Sequence, residues 1–325
     1  MSGYKQSSET ALHLFTDKVP VIKEYHTVGD IEQLLLLNSK FFETINYIYV
    51  VDDNQHLKGV LSIKEVFKSS KEKFAKNLMH NKPVFVHTET DQEEVVYLAI
   101  KNKIKSIPVV DKQQRFLGAI PSDIILEVLH HESTEDILRM GGIRTSGSVD
   151  DIFRLSVLQS IKHRLPWLIV GLLGGILTSV IVDGFESTLS KNLILAAFIP
   201  LIVYMADAVG TQMEAFIIRD LAFNPELKFQ RYFYRQFMIV LITAFMISSL
   251  TYIGVVLIYS EGHIASIVSL ALFCAIMSSL FCGLMIPFVF SKLNLDPANA
   301  SGPVATIIQD IASVTVYFAI AHFLL

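Results

Sequence analysis

The sequence predicts a two-part chain: a soluble α+β half, then an all-α half that crosses a lipid bilayer five times. Three observations carry that prediction. Charge is unevenly placed, with 43 of the first 164 residues charged but only 15 of the last 161. Five apolar runs in the second half are each long enough to span a hydrocarbon core of about 30 Å. A block of the first half repeats at an offset of 59 residues. That charge split, in a chain of 325 residues with two cysteines and a mean hydropathy of +0.47, disfavours a disordered tail, a secreted disulfide scaffold and a simple soluble enzyme. Net charge −4, with no strongly basic or acidic block, argues against a nucleic-acid partner. Met1 to Asp30 lacks the apolar core of a signal peptide, which predicts a cytoplasmic N-terminus.

Residues 1–16 form an extension before the repeat. In the repeat, Ile48-Tyr49-Val50-Val51-Asp52 matches Ile107-Pro108-Val109-Val110-Asp111, and Gly59-Val60-Leu61 matches Gly118-Ala119-Ile120. Each copy reads as helix, strand ending in an Asp turn, strand after Gly, and helix, with a short strand ahead. A β-α-β-β-α unit of that size cannot bury its own sheet faces, so two should pack together. The pattern resembles a tandem pair of CBS domains, at 17–76 and 77–132. In such pairs a cleft beside the sheets can hold an adenine nucleotide, with an acid five positions after the strand glycine on the ribose. That resemblance points to Asp123 in the second copy and to wall contacts from Ile107 and Pro108. The first copy has Lys64 in the equivalent place.

Segment 133–164 connects the halves. Ser133-Thr134-Glu135-Asp136 reads as the cap of a helix starting at Ile137, and Gly141-Gly142 as its break. An amphipathic run from Val149 to Lys162 then leads straight into the first span. It reads either as a surface linker helix or as a lever on the membrane half, and its direct continuity with Pro166 favours the lever.

The apolar runs fall near 165–183, 193–213, 236–259, 265–290 and 300–325. Arg154, Lys162 and Arg164 precede the first, Arg219, Lys228, Arg231 and Arg235 separate the second and third, and Lys292 separates the fourth and fifth. The opposite side has only Lys191. The positive-inside bias therefore predicts a cytosolic first half and a C-terminus outside. Cys274 and Cys282 lie eight positions apart, roughly 12 Å along one helix, too far to bridge. They read as reduced packing residues. Gly171 and Gly175 form a GxxxG close-packing signal.

Charges at membrane depth are costly, so the acids there are the candidate functional groups. Asp310 sits about 15 Å into the last span, with no Lys or Arg inside that span. It reads as an ion ligand facing a wet pathway or, less readily, as a protonated structural group. Asp207 lies late in the second span, where Gly210 is expected to loosen the helix; a helix end entering the headgroups is the rival reading. Asp183 and Glu186 close the first span on the outer side. Pro297 and Pro303 keep segment 296–303 from being a regular helix, and irregular backbone at that depth needs protein or water on its carbonyls.

The whole chain also resembles the MgtE family of magnesium channels and transporters. The resemblance rests on Arg164-Leu-Pro-Trp167, Phe185-Glu186, Ala196-Ala-Phe-Ile-Pro200, Gly210-Thr-Gln212, Arg219, Leu221-Ala222, Asp296-Pro-Ala298, Ala300-Ser-Gly-Pro303, Thr306, Asp310 and Tyr317-Phe318. It implies a homodimer in a cell membrane, with the pore on its two-fold axis between the second and fifth spans. It maps the ion ligand onto Asp310 and a backbone carbonyl one turn earlier onto Thr306. Mg²⁺ there would keep most of its water. Two departures stand out. The family's Gly-Gly-Asn-Ala-Gly is Ala206-Asp207-Ala208-Val209-Gly210, which adds a candidate metal ligand at Asp207 and opens selectivity for other divalent cations. The acidic superhelical domain that normally precedes the CBS pair is not seen, so feedback by cytosolic Mg²⁺ is expected to be weaker, or linked to nucleotide. A passive, CBS-regulated Mg²⁺ channel is the function expected. The rivals are a carrier for Co²⁺, Mn²⁺ or Zn²⁺, a Na⁺-coupled exchanger, and a non-conducting membrane sensor. No Walker motif and no nucleophile–base or metal-ligand cluster is legible, so an enzyme or pump is not expected.

Overall fold

Residues 9–143, 156–223, 227–293, 295–300 and 302–325 are described by a computed structural model. The chain divides into two units, Met1–Ser133 and Thr134–Leu325.

In the first unit the repeat is carried through to hydrogen-bond register. One copy runs β1 (Val21–Lys23), α1 (Val28–Asn38), β2 (Tyr47–Val51), β3 (Leu57–Ser62) and α2 (Ile63–Lys68). The other runs β4 (Val86–His87), α3 (Gln92–Asn102), β5 (Ser106–Val110), β6 (Phe116–Pro121) and α4 (Ser122–Met140). In each three-stranded sheet the middle strand lies parallel to the first and antiparallel to the third. Val50 faces Gly59 and Val109 faces Gly118, and each register shifts at the next residue. The strand-ending acids have a local cause. Asp52 Oδ1 accepts the backbone N–H groups of Asn54 and His56, each at 2.9 Å, and Asp111 Oδ1 accepts those of Gln113 and Arg115 at 2.8 Å. These Asx turns reverse the chain through Gln55 and Gln114, both at positive φ.

The two copies join through a β-bridge from His56 to Arg115, and Thr16 of the extension bridges to Ala119 of the second copy. The fully buried Tyr49 stacks on Phe116 at 4.7 Å and shares a 2.9 Å hydrogen bond with Ser106. Gly118 allows the closest approach, because a Cβ there would run into the Thr16 carbonyl.

The second unit holds α5 (Val157–Asp183), α6 (Glu186–Lys191), α7 (Ile194–Phe223), α8 (Phe229–Tyr259), α9 (Gly262–Lys292), a 3-10 turn (Pro297–Ala300) and α10 (Pro303–Leu324). Five of these helices are long and apolar enough to cross a membrane. α9 is the central one, with 61% of its apolar window buried against 6% for α5. Ala265, Ala271, Ala275, Ser279 and Gly283 let α7, α8 and α10 come close to it.

Several details depart from the sequence reading. The Ser133–Asp136 run does not start a helix, because α4 continues through it to Met140. Within it Glu135 pairs with Arg139 one turn on, as a helix-interior residue does. Gly141-Gly142 does end the helix: Gly142 sits at φ +69° and Ile143 N–H returns to Leu138 O at 2.9 Å. Of the amphipathic run from Val149 to Lys162, residues 149–155, with Arg154, lie outside the described residues. The remainder is the start of α5, opened by a Ser156/Gln159 capping box. Among the described residues a Cβ added at Gly171 or Gly175 would meet nothing within 4 Å, whereas Gly174 lies directly against Ile307 of α10. The packing glycine is thus the middle one. Gly210 does not loosen α7, which passes through it unbroken.

Candidate ion site among the membrane helices

Helices α7 and α10 set the site. Tyr317 Oη donates to Leu195 O at 2.7 Å, and Gln309 Nε2 donates to Ala206 O at 2.8 Å. Moving up α10 from 309 to 317 moves down α7 from 206 to 195, so the helices are antiparallel. Both ties are buried, and together they place residue 310 level with residues near 207.

Asp310 is half-buried on α10, and Asp207 is half-buried on α7. Glu214, two turns beyond Asp207 on α7, is 5% exposed. The ion pairs described in this unit are those of Arg139 with Glu135 and Asp296, and of Arg219 with Asp220. None reaches the three acids, so the described residues offer them no fixed cation. Three carboxylates at this depth without a base are a strong attraction for a mobile cation. Thr306 lies one turn before Asp310, with its N–H on Gly302 O at 3.0 Å. Its carbonyl belongs to the helix ladder and still has a second lone pair. Asp183 and Glu186 are exposed at the far end of α5.

Sequence reading missed Gln309. It is 1% exposed, its amide fills the space above Gly210, and its Oε1 has no hydrogen-bond partner. Its neighbours in sequence are apolar or already prominent, so only the missing side chain at Gly210 hinted that another group sits there. Glu214, which follows Asp207 in the same polar stretch of the second span, is buried. Gly302 has φ +74°, and a Cβ on it would lie 2.7 Å from the Met140 carbonyl. Asp296 pairs with Arg139 and accepts the Ala298 N–H at 2.8 Å, which starts the 3-10 turn that leads into α10. Cys274 and Cys282 are free and half-buried.

The first unit contains a cavity of about 360 Å³ lined by Tyr47, Ser62, Glu65, His80, Ser106 and Pro108 among others. Pro108 is on its wall. Ile107 is fully buried in the core of the second copy, and Asp123 is exposed at the start of α4, outside this lining.

Comparison with known proteins covers both units. A family model described as a divalent cation transporter, MgtE, matches residues 199–320, and the CBS domain model matches residues 11–72 and 75–131. The magnesium transporter MgtE of Thermus thermophilus is 31% identical over 316 residues, 96% of this chain and 69% of the relative. That of Enterococcus faecalis is 32% identical over 96% of this chain and 68% of the relative. Among solved structures, the cytosolic domain of the Mg²⁺ channel MgtE in complex with ATP is 36% identical, with a TM-score of 0.37, covering 37% of this chain and 49% of that one. With near-complete alignment to magnesium transporters and the CBS pair ahead of five membrane-length helices, the chain belongs to the MgtE family.

Proposed function

We propose that this chain is a passive, homodimeric, CBS-regulated Mg²⁺ channel, with Asp310 as its principal ion ligand. The observation that carries the reading is the half-buried Asp310 carboxylate, level with Asp207 and without a Lys or Arg partner among the described residues. Two copies across a two-fold axis would present a pair of such sites to one hydrated ion. Mg²⁺ suits that arrangement because it binds few direct oxygens and keeps its water. Asp310 supplies charge, the Thr306 carbonyl a neutral oxygen, and Asp207 a second carboxylate that strengthens attraction and broadens the range of divalent cations accepted.

In this reading residues 17–76 and 77–132 are the regulatory CBS pair, 133–164 the connector and 165–325 the pore domain. The regulatory pair lies in the cytosol and the C-terminus outside, following the Arg and Lys of the connections. An adenine nucleotide is the ligand proposed for the pair, with Asp123 on the ribose, Pro108 on the wall and Ile107 supporting it from the core. Absence of any ATP-induced change in the melting midpoint of the full chain would remove that part.

The test is Mg²⁺ flux in liposomes. Loss of a charged ligand weakens binding by about 1.5–3 kcal/mol, so Asp310→Asn should cut flux by about tenfold or more. Unchanged flux in Asp310→Asn would refute the site, and no flux from the wild type would favour a sensor. Competition by Mn²⁺, Co²⁺ and Zn²⁺, and dependence on an imposed Na⁺ gradient, separate the carrier and exchanger alternatives.

A further inference from the structure

We propose that Glu214 and the Oε1 of Gln309 form a second cation site, between α7 and α10, for a hard cation that has shed most of its water. The site lies in each protomer and is distinct from Asp310. It stands whichever ion passes Asp310.

The argument begins with the amide of Gln309. Its Nε2 is committed to Ala206 O, a carbonyl that cannot donate, so the amide cannot be turned over without setting two oxygens against each other. The Oε1 must then point away, and it has no donor although the side chain is 99% buried. An acceptor left unmatched at that depth loses its hydration with nothing in return. Native structures rarely leave such an atom alone, and a bound ion is one of the ordinary partners.

Gly210 locates that oxygen. The nearest heavy atoms to a Cβ placed on Gly210 are the Oε1, Cδ and Nε2 of Gln309, so the amide lies directly on this turn of α7. Asp207, Gly210 and Glu214 follow each other at three and four residues, which puts them on one stripe of the helix. A helical side chain leans toward the helix N-terminus and covers the turn before its own Cα. On that preference Glu214 reaches toward the Gly210 turn, where the unmatched oxygen lies. It is 5% exposed and belongs to none of the ion pairs of the described residues. A carboxylate accepts at about four positions, which gives an ion more than one way to bind it.

The ligand class follows from the donors. A carboxylate and an amide oxygen are hard ligands, which favours Na⁺ or Ca²⁺ over soft metals. Burial of 99% and 95% leaves little space for a hydration shell. Mg²⁺ gives up its water reluctantly, so it is the poorer fit here and the better fit at the half-exposed Asp310. Asp207, one turn away, adds negative potential without needing to touch the ion.

The experiment uses the full chain in detergent and follows its melting midpoint. NaCl is titrated against choline chloride at constant ionic strength, and CaCl₂ is titrated separately. The variants are Gln309→Leu, Glu214→Gln (which keeps the size and one oxygen of the side chain) and Asp310→Asn. A bound ion raises the midpoint in a saturable way. The proposal expects that rise with Na⁺ or Ca²⁺ in wild type and in Asp310→Asn, a ~10-fold weaker apparent affinity in Gln309→Leu from loss of one ligand, and no rise in Glu214→Gln. It is overturned if neither ion shifts the wild type beyond choline. It is also overturned if the shift survives in both Gln309→Leu and Glu214→Gln, or disappears in Asp310→Asn alone, which would assign the ion to the pore. Loss of Mg²⁺ flux in Asp310→Asn reports on the channel reading and leaves this result unaffected.

Discussion

Replacing Gly210 with alanine sets two effects against each other. In an exposed helix the change would stabilise by about 1 kcal/mol, because glycine is the poorer helix former. Here the new Cβ falls on the Gln309 amide, and all three of its nearest neighbours are atoms of that group. The amide must move. Overpacking of this kind costs about 1–3 kcal/mol, and the Nε2 bond to Ala206 O, 2.8 Å long and buried, is worth about a further 1 kcal/mol. The steric and hydrogen-bond losses exceed the propensity gain, so Gly210→Ala should destabilise by about 1–3 kcal/mol. Truncating the obstacle reverses the sign. In a Gln309→Ala background the space is open, and Gly210→Ala should be neutral or stabilising by up to about 1 kcal/mol. The assay is reversible unfolding of the four proteins of this cycle in one detergent. Equal destabilisation by Gly210→Ala in both backgrounds would refute the packing argument, as would a gain in stability from Gly210→Ala alone.

Two further predictions are simpler. Gly174→Ala should cost about 1–3 kcal/mol, because its Cβ meets Ile307, whereas Gly171→Ala should stay within about 0.5 kcal/mol; equal melting midpoints for the two would contradict the placement of α5 on α10. Asp52 ties the β2–β3 turn, and although desolvation pushes its pKa up, hydrogen bonds from His56, Lys58 and Asn54 outweigh that and hold it well below the usual carboxylate value of 3.8. A lowered acid contributes stability above its unfolded pKa and loses it as pH falls toward the folded one. Asp52→Asn should therefore lower the midpoint of unfolding of the first unit at neutral pH, and the gap from wild type should narrow only below about pH 4. A gap constant down to pH 2 would contradict the hydrogen-bonded turn.

The sequence was sufficient for every feature that depends on spacing along the chain. Five hydrophobic runs define five membrane helices because a bilayer demands length and apolarity of each helix separately. The Asp-turn-Gly repeat defines the β-α-β-β order because each turn is built from its own side chains. Asp310 stood out for the same local reason, an acid in an apolar run. The tertiary structure decided which side chains share space across helices. Gly171 and Gly175 carry the motif, yet Gly174 makes the contact, because the rotation of α5 is set by α10 rather than by its own sequence. Gln309 is unremarkable in the sequence and becomes buried and half-satisfied only through its register against Ala206 and Gly210. Helix rotation and register depend on the summed packing of several surfaces, and no single stretch of residues encodes that sum.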